Sequence, residues 1–289
     1  MKGMAILVVL VLLMGIAAVA CGCGEDGIVP LTPEDGVMPL TPEELIEGVL
    51  ASADAQETCR FEMNVNGNLK GTVGGEYGEV GVSVAYVGVL DVVDQEMQAD
   101  ITMTMDVSAA GQSQQMSIPM WMYFLGDMGY IGTQEPGQPV EWIKGDVSQE
   151  LWESQEFQSQ QIELLRGAEV EILGTQSVRG IPCYAAEISP DMEMLLEMVN
   201  SMLGSTAGLG LTTDSISNFK CTGWYAQDTY FPMRVYQEYD ITIEEGSDRL
   251  TGHYTADMVF YNYNEPVSIQ LPAAAQGARD VGSLDWYLQ

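Results

Sequence analysis

The chain has 289 residues, of which 42 are Asp or Glu and 10 are Lys or Arg, for a formal net charge of −32. A surface this acidic repels nucleic acid and anionic lipid headgroups, and no basic stretch interleaved with aromatics reverses it. Nucleic-acid binding and polybasic membrane binding are thereby excluded, while a hydrophobic content of 46% is ordinary for a chain that buries a sizeable core.

Lys2 precedes an almost unbroken apolar run from Ala5 to Ala20, which closes in Ala17-Ala18-Val19-Ala20 directly before Cys21. A charged start, an apolar middle and small residues at the end make a secretory signal over 1–20. The run of about 16 residues is short of the roughly 20 that span a bilayer. A cysteine immediately after the small residues resembles a bacterial lipoprotein lipobox, although Val19-Ala20 stands where Ala-Gly is commoner. The resemblance implies that Cys21 becomes the mature N-terminus, carries diacylglycerol on its sulfur and anchors an exported protein to the extracytoplasmic face of a membrane. Residues 21–40 hold Gly, Pro and acids without apolar periodicity and read as a linker. A single domain is expected over 41–289. At about 3.1 Å per residue the linker lifts that domain roughly 60 Å off the membrane.

The domain opens with a helix. Thr41 is placed as N-cap, Pro42 as first helical residue and Glu44 as reciprocal capping partner, with Leu45, Ile46, Val49 and Leu50 on one face to about Ala53. From Glu57 the period changes to two, with Cys59, Phe61, Met63 and Val65 on one side and a turn expected at Asn66-Gly67. The clearest strand is 97–107, where Met97, Ala99, Ile101, Met103, Met105 and Val107 alternate with polar residues. Further strands are expected at 80–93, 115–125, 128–133, 140–144, 170–173 and 182–189. Four more, at 219–226, 233–244, 249–261 and 267–271, come after a glycine-rich loop over 204–214. A second helix is expected over 148–165, and a third after Pro190 carries Met192, Leu195, Leu196, Val199, Met202 and Leu203. About ten or eleven strands without βαβ alternation make an α+β fold: a large curved antiparallel sheet, a half-barrel with helices covering its concave face.

Signs of catalysis are weak. The single histidine, His253, lies on the wet phase of its strand and does not support a His-rich metal site or a catalytic triad. Gly22-Cys23-Gly24-Glu25-Asp26-Gly27 matches a dinucleotide fingerprint by letters only, since no strand precedes it and no helix comes after it. No cofactor or metal is expected. If Cys21 is acylated, Cys23, Cys59, Cys183 and Cys221 remain. Cys183 and Cys221 lie on strands flanking the third helix, in phase with Ile181 and Phe219, and are expected to lie close in space and be able to bridge, a possible disulfide. The informative oddity is 18 methionines, many on the dry phases of strands and of the third helix. Methionine adapts to variable apolar partners. The ligand-binding set expected on this ground is Met103, Met105, Met120 and Met122 from the sheet, with Leu195, Leu196, Val199 and Met202 from the helix.

Three stretches carry a family resemblance: Gly180-Ile181-Pro182-Cys183-Tyr184 running to Pro190-Asp191, Trp224-Tyr225-Ala226-Gln227-Asp228-Thr229-Tyr230-Phe231-Pro232-Met233, and Phe260-Tyr261-Asn262-Tyr263-Asn264-Glu265-Pro266-Val267. In this order they resemble the LppX/LprG-type bacterial lipoproteins and, more distantly, the LolA/LolB lipoprotein carriers. The resemblance spans the last 110 residues or so and implies a half-barrel with an apolar cavity under its helices. It further implies binding and shuttling of a lipid or acylated molecule without catalysis. Extreme acidity and the cysteines depart from it. The expected function is a membrane-anchored envelope lipoprotein holding a hydrophobic ligand. The alternative is a structural or protein-interaction lipoprotein with a solid core, and a carboxylate hydrolase stands third.

Overall fold

A computed structural model describes residues 28–29, 40–73, 76–109, 112–148, 165–196, 212–245 and 248–284. Helix α1 (Pro42–Ala53) begins where the capping signals place it. The Glu44 amide donates to Thr41 Oγ1 at 3.2 Å, and the Thr41 amide donates to the Glu44 carboxylate at 2.9 Å. This reciprocal pair satisfies two amides that lack intrahelical partners.

Among the described residues, the rest is built on one sheet of twelve strands. In chain order they are β1 (Thr58–Val73), β2 (Glu76–Asp91), β3 (Glu96–Ala109), β4 (Gln112–Leu125), β5 (Met128–Thr133), β6 (Glu141–Asp146), β7 (Glu169–Val178), β8 (Ile181–Ser189), β9 (Ile216–Ala226), β10 (Pro232–Glu245), β11 (Asp248–Tyr261) and β12 (Arg279–Ser283). Two antiparallel meanders, β1 to β6 and β7 to β11, join where β11 pairs with β1, Met258 opposite Met63. The edge strands of the sheet are β7 and β12. The β12 strand is the exception to the antiparallel pattern, lying parallel on β6.

Alternation sends one residue in two to each face. The inner face carries the main core: Phe61, Met63 and Val65 of β1, Val84 of β2, Ala99 and Met105 of β3, Val235 of β10, and Ala256 and Met258 of β11. Helix α1 adds Leu45 and Val49 to it. A smaller core lies on the outer face, where Val178, Cys183, Ala185, Trp224, Ala226 and Met233 pack together. Register shifts in β7–β8 and twice in β9–β10 bend this part of the sheet. The β7–β8 turn thereby reaches the outer side of β1 and β11. Arg179 pairs with Glu62 at 2.8 Å and lies 3.9 Å over the Tyr261 ring.

Three expectations are corrected. Asn66-Gly67 is no turn: β1 runs straight through it. The glycine is there because a β-carbon would lie 2.1 Å from the Tyr254 ring. Residues 267–271 form no strand, and the sheet instead takes the chain back at β12. The expected bridge is not made: Cys59, Cys183 and Cys221 are all free thiols. Cys183 pairs with Ala226, an odd number of residues from Cys221 along β9, so the two thiols face opposite sides of the sheet. Of the helices expected over the inner face, the second lies outside the described residues except for its end residues Ser148 and Leu165, and the third is described over 192–196.

Candidate ligand-binding face

The inner face is sealed unevenly. At its centre, Met258 is 1% exposed and Met63 2%. Along β4 the inner-facing residues Met116, Ile118, Met120 and Met122 are all half-buried, and so is Met103 opposite Ile118. These five side chains form one apolar strip continuous with the main core. Strand length accounts for the far end of the strip, Met116, Ile118 and Met103. The hairpin β3–β4 has fourteen residues in each strand, whereas β5 has six and pairs with β4 only from Met120 onward. Pro119 sits at the point where β5 leaves, and a residue without an N–H is tolerated where a strand becomes an edge. Met116, Ile118 and Met103 therefore stand beyond the cover that β5 gives.

The strip carries no charge. The acids of this hairpin, Glu96, Asp100 and Asp106, alternate to the outer side, and Asp100 and Asp106 are exposed. Tyr86, paired with Ile101, has its hydroxyl pushed up to about 12 by burial and stays neutral at physiological pH. Phe219, Tyr239 and Tyr254 stack across β9, β10 and β11 with ring centroids 6.3 and 5.5 Å apart. The Tyr254 hydroxyl and Gln237 Oε1 are buried there without a hydrogen-bond partner. Burial pushes the Cys59 and Cys221 thiols up to about 12 and the Cys183 thiol up to about 11, so none is a nucleophile at neutral pH.

The expected ligand residues divide. Met103, Met120 and Met122 are brought together on the strip. Met105 is 6% exposed and belongs to the sealed core, as do Leu195 and Leu196. Val199 and Met202 lie outside the described residues, as do Cys21, Cys23 and the 204–211 part of the glycine-rich loop. Sequence reasoning misses Met116 and Ile118 as strip members, although their alternation with Ser117 and Pro119 is visible.

The stretches that carried the family resemblance build corners. Arg179 and Gly180 both have positive φ, +50° and +84°, and form the two-residue β7–β8 turn. Asn264, at φ +56°, locks the end of α1 to β1. Its Oδ1 accepts from the Glu57 amide at 2.8 Å, and its Nδ2 donates to the Ala55 carbonyl at 2.8 Å. Tyr263 donates its hydroxyl hydrogen to the Pro232 carbonyl and packs on Phe231. His253 is exposed and bonds Asp240 at 2.8 Å. Among the described residues, no three of His, Cys, Asp and Glu are grouped to hold a metal ion, and no helix is long and apolar enough to cross a membrane.

No protein-family model and no curated protein matches the sequence. Solved structures with some similarity include a DUF1329 family protein from Desulfovibrio piger, 10% identical, with a TM-score of 0.25 over 81% of this chain and 96% of that one. A β-barrel-like DUF1849 protein from Brucella abortus is 7% identical, with a TM-score of 0.27 over 72% and 100%. The translocator domain of the autotransporter NalP from Neisseria meningitidis is 11% identical, with a TM-score of 0.26 over 76% and 96%. Scores this low carry neither fold nor function from these proteins to this chain.

Proposed function

We propose that this protein is held at the extracytoplasmic face of a membrane by acyl chains on Cys21 and binds a hydrophobic ligand, a lipid or acylated molecule, on its inner face without catalysing a reaction. The observation that carries the reading is the half-open strip of Met103, Met116, Ile118, Met120 and Met122 beside a fully sealed core. An uncharged apolar strip of adaptable side chains suits an acyl chain. The resemblance to LppX/LprG-type and LolA/LolB carriers points the same way. Membrane attachment itself rests on acyl chains, since each buried methylene contributes about 0.8 kcal/mol and two chains anchor stably.

The tight packing at the centre of the sheet favours the second reading, a structural or interaction lipoprotein with a solid core. Uptake of a neutral fluorescent acyl probe by the parent and by Met103→Trp separates the two. A ligand-binding strip takes up the probe, and Trp at 103 lowers its affinity about tenfold or more while the fold loses less than about 1 kcal/mol. A solid core takes up no probe, and the same substitution costs about 1 to 3 kcal/mol through overpacking. Acylation is tested by detergent partitioning: Cys21→Ala should leave the detergent phase or stay uncleaved, and an unchanged partition and mass would reject the anchor.

A further inference from the structure

Within the stretch that reads as a bare linker, Ile28 and Val29 are seated on the sheet. The Val29 amide donates to the Thr175 carbonyl at 2.8 Å, and the Thr175 amide returns a bond to the Val29 carbonyl at 2.8 Å. This two-bond exchange is that of one antiparallel residue pair on the open edge of β7. The place is shaped for it. A register shift between Ile172 and Gly174 sets an extra residue into β7. Gly174 has φ +149°, and a β-carbon there would stand 2.3 Å from the Val29 carbonyl oxygen. Ile28 packs on the outer cluster that includes Val178 and Trp224. Edge hydrogen bonds, a glycine notch and an apolar seat thus meet at one position.

We propose that the Gly174 notch is the docking site for the protein's own membrane tether, so that the β7 edge is the side held next to the bilayer. The proposal rests on the acylation of Cys21 for its membrane half, and on the β7 geometry alone for its docking half. From Cys21 to Val29 is about eight residues, a reach of about 25 Å at 3.1 Å each, against about 60 Å for the whole stretch to Thr41. A domain on the longer tether samples every orientation. Clamped at Val29, it presents one edge to the membrane and is held within the shorter reach.

Neutron reflectometry of the full acylated protein on a supported phosphatidylcholine bilayer measures the gap between lipid and protein. The parent should show a gap of about 25 Å or less, and Gly174→Val, which fills the notch, should widen it by up to about 35 Å. Val29→Pro removes the amide that bonds Thr175 from an exposed position and should widen the gap equally, which controls for misfolding of the glycine variant. A parent gap near 60 Å, or a gap unchanged in both variants, overturns the membrane half. Hydrogen exchange on the chain from residue 21 carrying Cys21→Ser tests the docking half without a membrane. The Thr175 amide should exchange about tenfold or more slowly in this chain than in its Val29→Pro variant. Equal rates overturn the docking. If the acylated parent does not attach to the bilayer while exchange shows protection, the acylation reading fails and the docking stands.

Discussion

The centre of the sheet and the β3–β4 hairpin are made of similar residues and end in different states. Around β1, β10 and β11 the inner face is closed: Met63, Val65, Val235, Ala256 and Met258 are each at most 3% exposed. On β4, the inner-facing Met116, Ile118, Met120 and Met122 stay half-open. Hydrophobicity does not separate the two, because methionine stands in both. Neighbours do. Each central strand has a long partner on either side, whereas β4 has only the six-residue β5, which pairs from Met120 onward and leaves Met116 and Ile118 beyond it. Apolar surface left half-open beside a sealed core is the candidate surface for the proposed ligand.

Truncation should expose the difference most strongly. Met258→Ala at the centre opens a cavity and should cost about 2 to 5 kcal/mol in denaturant unfolding. Met120→Ala on the strip loses contacts already shared with solvent and should cost about 1 kcal/mol. Similar losses at both sites would erase the contrast. Overpacking the centre is next: Gly67→Ala forces a β-carbon to within 2.1 Å of the Tyr254 ring and should cost about 1 to 3 kcal/mol, measured by the same unfolding transition.

A contact belonging to neither region sets the lower scale. Hydrogen bonding by Arg179 is the main cause holding the Glu62 carboxyl below its ordinary value of 4.5. A carboxylate depressed in the folded state contributes stability above its ordinary pKa and loses it as pH falls through the folded value. Both partners are partly exposed, so Glu62→Gln should cost about 0.5 kcal/mol at neutral pH. The difference should vanish in unfolding measured well below pH 4.5. Smallest of all, Tyr254→Phe removes a buried hydroxyl that has no partner. It should change stability by no more than about 0.5 kcal/mol, in either direction. A larger loss would mean that the hydroxyl is engaged and the centre less dry than its packing indicates.

Local signals were legible and pairing was not. The capping box at Thr41 and Glu44 needs only neighbouring residues, and it holds. The alternation from Met97 to Val107 reports two faces, and β3 has them. Asn66-Gly67 reads as a hairpin, but whether a glycine serves a turn or an opposing ring depends on Tyr254, nearly two hundred residues away. In 267–271 the alternating exposure survives, with Val267 and Ile269 half-buried and Ser268 and Gln270 exposed, yet the segment pairs with no strand among the described residues. Alternation measures a two-faced extended segment, not a ladder. Cys183 and Cys221 looked ready to bridge because each shares a phase with an apolar neighbour. Which face each phase meets is set by the β8–β9 register, and that register puts them on opposite sides. For the candidate site, the sequence named Met103, Met120 and Met122 but could not separate them from Met105. That distinction appears only in the folded sheet, where Met105 is 6% exposed and its neighbour Met103 stays half-buried, a tertiary fact.

A ligand lying against the strip is the central claim, and native mass spectrometry of the full chain extracted from membranes reads it directly. The expected spectrum shows about one lipid-sized adduct per chain beyond the mass of the acyl anchor. Met103→Trp should lose it, and Val87→Trp, at an exposed position that is 53% accessible, should keep it. A bare acylated chain in the parent, or an adduct retained equally by Met103→Trp, would contradict the claim and leave the inner face as core alone.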